Sequence, residues 1–357
     1  MTNNNEVKNL TFQEKWQEFK QNWSDPTKKR VRNRKFGTFT GNFFRTFILI
    51  GLCFIIVLPL FQKISFAFRS PYSITDPQVM WIPDKFSTEI IRMAAAYLNY
   101  NTSIVNSIVL SFITALIQVF ASAVAGYSFS RLKFKGNNII FGILIFTLVV
   151  PNETLYLSRK FFFDYTSFFG IELILNTFSI YIMSAFGMGI RSAIFIYLFR
   201  QFFRGIPIEL EESAEIDGAG VIRTFWSVML PNATGAITTV SLFAFVWQYN
   251  DYHWAILYRY PHELLTVKLG SGSGNLSAIL QTSFKSFINA MGTEIANDSM
   301  FFGLLINTAA LLMMTPLLIG YFFFQRYTGY GRLSVGYFFQ QGILVLNNSA
   351  CLIPVYS

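Results

Sequence analysis

Five carboxylates crowd one short stretch of this chain, Ile206-Pro207-Ile208-Glu209-Leu210-Glu211-Glu212-Ser213-Ala214-Glu215-Ile216-Asp217-Gly218-Ala219-Gly220, which runs on to Val228-Met229-Leu230-Pro231. The pattern predicts a short helix, a turn and a second short helix. Pro207 suits a helix start, where its missing N–H would have no partner. Glu209, Glu211 and Glu212 fall in the opening turns, where the helix dipole favours negative charge. Gly218 supplies the left-handed conformation that stops a helix, and Pro231 is expected to end the second helix and begin the next apolar segment. A helix lying on a membrane surface carries Lys and Arg on its polar face. Four glutamates and an aspartate would be repelled by anionic lipid, so the chemistry expected here is the docking of a protein partner.

Other residue types with chemical potential are sparse. His253 and His262 are the only histidines, and neither has a carboxylate or cysteine at ligand spacing, so both read as polar loop residues rather than a metal or catalytic site. Cys53 lies in an apolar run and Cys351 in the tail, which makes neither a disulfide framework nor a metal site. No Gly-rich phosphate loop with its lysine is present, so hydrolysis of ATP by this chain is not expected. No bound cofactor or metal is expected.

The elements that must position the acidic stretch are apolar. Of the 357 residues, 53% are hydrophobic and 13% charged, and Phe alone contributes 41. Soluble domains carry about 25% charged residues, and a helical membrane span needs roughly 20 apolar residues. Six such segments are read at 43–67, 104–127, 138–157, 177–203, 233–251 and 300–324. In lipid each must be helical, with Pro59, Pro151 and Pro316 kinking spans rather than ending them. The expected fold class is all-α, a polytopic helical bundle of six transmembrane helices.

Lys28, Lys29, Arg30, Arg32, Arg34 and Lys35 precede the first span and place the amino terminus in the cytoplasm. Six crossings then put Arg131, Lys133 and Lys135, Arg200, Arg204 and Arg223, and Arg326 and Arg332 on the same side. The outer segments 69–103, 158–176 and 252–299 are long and sparsely basic. Both termini are therefore expected inside, and the net charge of +9 reads as a topology signal, not as nucleic-acid binding. Residues 1–42 lack the short apolar stretch and cleavage site of a secretory signal peptide.

The acidic stretch between the fourth and fifth spans resembles the EAA loop of ABC-importer permeases. The family's usual form is EAA, three residues, G, nine residues, I-x-LP. Here Glu212-Ser213-Ala214, Gly218 and Val228-x-Leu230-Pro231 keep that spacing, with Ser213 for Ala and Val228 for Ile. The resemblance runs from about Phe43 to Gly336 and is strongest to the MalG-like permeases of carbohydrate importers. Trp81-Ile82-Pro83, Asn106-Ser107, the segment Ala125 to Gly136, Phe199 to Phe203 and Trp247-x-x-Asn250-Asp251-Tyr252 are similar to segments of that family.

The resemblance implies a type I ABC importer permease fold in a bacterial cell membrane. It implies a permease domain at 43–336 between a basic amino-terminal segment (1–42) and an atypical tail (337–357). That tail departs from the family's short Gly-rich end and is too interrupted for a seventh span. The implied partners are a second permease subunit, a cytoplasmic ABC ATPase dimer, an extracytoplasmic solute-binding protein and a sugar substrate. Glu212, Ser213, Ala214, Asp217, Gly218, Leu230 and Pro231 would couple this chain to the ATPase, whose closure would rotate the fourth and fifth spans. An ion-coupled transporter would show intramembrane ionisable groups and repeated halves; this chain has few intramembrane charges and no evident repeat. The same architecture moving a sugar phosphate or another solute is the nearer alternative.

Two ionisable residues within spans stand apart. Arg191 is 12 residues before Phe203 and Glu153 is 15 residues after Asn138, or roughly 18 and 22 Å from the cytoplasmic side at 1.5 Å per residue. Arg191 has three readings: an outer interfacial residue, a structural ion pair with Glu153, or a cation facing the pathway that favours an acidic or phosphorylated sugar.

Overall fold

The computed structural model describes residues 26–73, 85–165, 177–258, 260–272 and 276–328, together with 16, 83, 167–168 and 171–172. The tail expected at 337–357 lies outside the described residues. The chain divides into two units, Met1–Gln62 and Lys63–Ser357.

The first unit holds most of α1 (Pro26–Ala67), a continuous helix in which the basic run and the first apolar segment are one element. Pro59 sits inside it, as expected of a proline that kinks. Phe43, Phe47, Ile50, Phe54 and Phe61 are exposed along it.

The second unit contains α2 (Glu89–Leu98), α3 (Tyr100–Arg131), α4 (Asn137–Phe146), α5 (Asn152–Tyr165), α6 (Thr177–Ala185), α7 (Ser192–Gly205), α8 (Glu209–Ile216), α9 (Val221–Asn232), α10 (Thr234–Tyr249), α11 (His253–Leu257), α12 (Leu265–Gly270), α13 (Leu276–Ser283), α14 (Lys285–Met291) and α15 (Ser299–Thr328). The only described strands are Ser167–Phe168 and Ile171–Glu172, a two-stranded antiparallel pair.

Among the described residues, three helices are long and apolar enough to cross a bilayer: Thr40–Ala67, Tyr100–Arg131 and Ser299–Phe322. α9 and α10 pass the same test only as a pair, bent by 80°. The expected third and fourth spans are not single helices. The third ends at Phe146, and Pro151 lies outside any helix, before α5; its missing N–H and the restriction it places on Val150 favour a break there rather than a kink. The fourth breaks at 186–191. The break follows from a Schellman ending of α6: Gly187 at φ 71°, with Met188 N–H donating to Met183 O (2.8 Å) and Gly187 N–H to Ser184 O (3.2 Å). Pro231 also departs from expectation. The second loop helix runs through it, and the turn comes at Ala233, whose ψ of 18° leaves the helical range.

α3 is the hub, packing along α6, α7 and α10. Its buried face is Ser103, Ser107, Ser111, Thr114, Gln118 and Ser122, spaced three or four residues apart. Val105, Val109, Phe112, Leu116 and Phe120 are exposed. This inverts a soluble helix. With lipid outside there is no hydrophobic drive between helices, so small residues gather where backbones approach. Gly126 continues the stripe, and a Cβ there would lie 2.5 Å from Phe199 Cβ and 3.0 Å from Arg200 N.

Pro316, inside α15 as expected, deprives Leu312 O of its i+4 donor. Tyr100 Oη donates to that carbonyl (3.2 Å), and Tyr249 Oη donates to the next, Met313 O (3.0 Å). Within the apolar helix these bonds satisfy carbonyls that lipid could not.

Two apolar clusters flank this frame. One gathers Met93, Leu98, Phe287, Phe301 and Leu305 from α2, α14 and α15. The other gathers Tyr127, Phe195, Phe199, Phe203, Phe225 and Met229 beside the acidic loop. At the α2–α3 junction Asn99 adopts φ 46°, a left-handed position that Asn tolerates. Its Nδ2 donates to Glu263 (2.6 Å), which also receives Lys268 Nζ (2.7 Å). The hydrogen bonds from Lys268 and Asn99 hold the Glu263 carboxyl below its usual range.

Candidate docking site in the 206–231 loop

The loop is built on the end of α7. Phe203 is buried and Ile206 nearly so, and the chain turns outward through Pro207 and Ile208 into α8. Pro207 lies just before the helix rather than within its first turn, because Ile208 is the N-cap. Glu209, Glu211 and Glu212 occupy the first turn.

α8 ends in a second Schellman motif. Ala219 N–H donates to Ala214 O (2.9 Å) and Gly218 N–H to Glu215 O (3.0 Å), which requires the left-handed residue found at Gly218, φ 81°. A Cβ at Gly218 would have nothing within 4 Å. α9 then starts at Val221, and its middle turn, Phe225–Met229, is π-helical, a widening common at functional sites.

The seven expected coupling residues do not all face the same way. Glu212, Ser213, Asp217, Gly218 and Pro231 are exposed. Ser213 Oγ donates back to Leu210 O (3.0 Å). Ala214 is buried, and Leu230 packs against the inner cluster, so these two hold the loop's form.

Glu211 has a role that sequence reasoning gave only to the helix dipole. Its carboxylate accepts from Tyr127 Oη (2.9 Å) and pairs with Arg131 Nε (3.4 Å). Arg131 Nη2 donates onward to Phe203 O (2.8 Å) and to Ile206 O. One carboxylate thus ties α8 to the end of α3, and the arginine ties both to the end of α7. The only sequence signal was Tyr127 and Arg131 standing four residues apart, one helical turn.

The exposed surface is more apolar than its charge suggests. Ile216 is 86% exposed and Ile222 77%, with Ile208, Val221 and Trp226 also exposed. They stand beside Glu212, Glu215 and Asp217. Exposed apolar residues interleaved with carboxylates, on a helix whose end is fixed by its Schellman cap, suit a protein interface.

Of the second candidate pair, the structure describes the side chain of Arg191 alone. Arg191 is not inside a helix; it is the N-cap of α7, left-handed at φ 54° and exposed. Its guanidinium lies 4.8 Å from the centroid of the Trp247 ring. Glu153 lies in α5, but its side chain is outside the described residues, and so is the ion pair that is one of the three readings of Arg191.

Among the described residues no cluster of three His, Cys, Asp or Glu could hold a metal ion. Apolar helices of spanning length, a hub with its apolar side outward and an acidic projection are the features of a membrane-embedded chain that docks a partner. Comparison with known proteins agrees. The family described as "Binding-protein-dependent transport system inner membrane component" matches residues 118–328, and the chain belongs to that family. The chain is similar to the maltodextrin transport system permease protein MalD of Streptococcus pneumoniae, 28% identical over 78% of this chain and 89% of that one. It is also similar to the polygalacturonan/rhamnogalacturonan transport system permease protein YtcP of Bacillus subtilis, 25% identical over 85% and 98%. A crystal structure of a bacterial ABC transporter involved in the import of the acidic polysaccharide alginate shares its fold. The TM-score is 0.57 at 21% identity, covering 83% of this chain and 97% of that one.

Proposed function

We propose that this chain forms half of the transmembrane pathway of an ATP-binding-cassette importer for a sugar or oligosaccharide. The observation that carries the reading is the loop at 206–231, a rigid projection with an apolar, acid-rimmed surface, in a chain of the inner-membrane-component family. A second permease subunit would complete the pore. A dimer of cytoplasmic ATPases would seat Glu212 and the Gly218 turn, and an extracytoplasmic binding protein would deliver solute. The permease domain is taken as 43–336, with both termini cytoplasmic. Sugar as the solute is supported by relatives named for maltodextrin and polygalacturonan transport.

ATP stays on the partner in this reading. What this chain supplies is mechanical: a push on α8 and α9 passes through the Glu211–Arg131–Tyr127 tie to α3 and α7 together. The kink at Ala233 carries it to α10.

Affinity purification of the tagged chain from its own membranes tests the proposal. An ATPase subunit and a second permease should co-purify. Glu212→Ala should leave abundance unchanged and lower transport-linked ATPase activity about tenfold, the scale of one lost charged hydrogen bond. Purification of the chain alone, with no nucleotide-binding partner, would contradict the docking role.

A further inference from the structure

The break in the fourth apolar segment sets an irregular stretch of backbone deep in the membrane. Its level is fixed by Gln118 of α3, whose Nε2 donates to Ile190 O (2.8 Å) and to Ser192 Oγ (2.8 Å). Gln118 is 13 residues from Arg131 at the end of α3, so the break lies roughly 20 Å along a helix from that end. Trp247 is 13 residues into α10, a similar depth. The conformation is built rather than frayed. Gly187 is left-handed, and a Cβ on Gly189 would lie 2.6 Å from Gln118 Nε2.

Non-helical backbone at this depth is tolerated only when covered by protein or facing a watery cavity. Here Phe186 is 79% exposed and Met188 54%, and Arg191 is exposed between them and α7. Among the described residues no carboxylate lies within ion-pairing distance of Arg191. Its guanidinium rests on Trp247, and that ring stacks with Phe195 (5.2 Å, 18°) and Phe243 (5.5 Å, 23°). An exposed cation facing lipid is costly, and such residues mark substrate paths. A left-handed arginine is a sparsely populated conformation of the kind that clusters at functional sites. A guanidinium held over an aromatic face keeps N–H donors for a carboxylate or phosphate.

We propose that Arg191, held by Trp247 at the break between α6 and α7, is a pathway contact for an anionic sugar. The ligand class is a saccharide bearing a carboxylate or a phosphate. This rests on the reading of the chain as a sugar-importer subunit and adds the charge of the cargo. Gln118 is a positioning residue, since it holds the Ile190 carbonyl and the Ser192 hydroxyl on either side of Arg191.

The test is uptake by intact cells carrying the complete importer, with labelled trigalacturonate, glucose 6-phosphate and maltotriose as probes. Cells deleted for this chain give the background. The proposal expects wild-type uptake of at least one anionic probe, and which one is taken up distinguishes carboxylate from phosphate. Arg191→Gln should lower that uptake about tenfold or more, the loss of a charge-assisted pair. Arg191→Lys should restore part of it, and membrane abundance of both variants should match the wild type. Uptake of maltotriose alone, equal in wild type and Arg191→Gln, would overturn the proposal and leave sugar import standing. Reduced abundance with normal uptake per copy would also overturn it, making Arg191 a contact to the partner subunit. Wild-type uptake of none of the probes above background would overturn it together with the sugar reading.

Discussion

Gly218→Val is expected to leave the subunit in the membrane at normal abundance and to abolish ATP-coupled uptake. Gly218 occupies the left-handed position of the turn that ends α8. A left-handed L-residue costs about 1–2 kcal/mol, and a β-branched one is a genuine outlier there. Nothing lies within 4 Å of a Cβ at this position, so the added side chain points into open space. The damage is confined to the direction in which α9 leaves the turn and to the surface offered to the ATPase. Asn tolerates the same backbone conformation, so Gly218→Asn should keep a measurable part of the activity. Uptake and ATPase stimulation in membranes of equal subunit content read the difference. Wild-type uptake by Gly218→Val would contradict the account.

Gly126→Val should act on the opposite quantity, the amount of folded protein. Its Cβ would press on Phe199 Cβ at 2.5 Å and on the Arg200 backbone nitrogen at 3.0 Å. Backbone cannot step aside as a flexible side chain would, so α7 must part from α3. Overpacking of this kind costs about 1–3 kcal/mol or more. The displaced helix also carries Phe203 and Ile206, whose carbonyls Arg131 holds. Membrane abundance and the thermal midpoint in detergent should both fall, with Gly126→Ala intermediate. Unchanged abundance and midpoint in Gly126→Val would show that the two helices are not in contact.

The loop is legible in the amino-acid sequence because its signals are local. A run of acids, a glycine and their spacing determine a capped helix and a turn by themselves. Apolar length likewise locates the segments. Continuity is not legible, because an apolar count does not register a break. The fourth segment reads as one span from 177 to 203. Yet Gly187, Gly189 and the remote Gln118 divide it, and Gln118 enters from another helix. Pro231 misleads because it sits in the last turn of α9, which runs on to Asn232 before the bend at Ala233. The Glu211 tie depends on residues some eighty positions apart, which no local pattern pairs. The polar stripe of α3 is present as a spacing of Ser, Thr and Gln. It becomes meaningful once the helix is read as facing lipid with its apolar side.

The most direct measurement is solute uptake by proteoliposomes containing the assembly co-purified with this chain, with binding protein outside and nucleotide inside. The account predicts sugar accumulation that requires ATP and the binding protein, persists when ion gradients are collapsed, and disappears with Gly218→Val. Accumulation driven by an ion gradient without ATP would contradict it, as would uptake by this chain reconstituted alone.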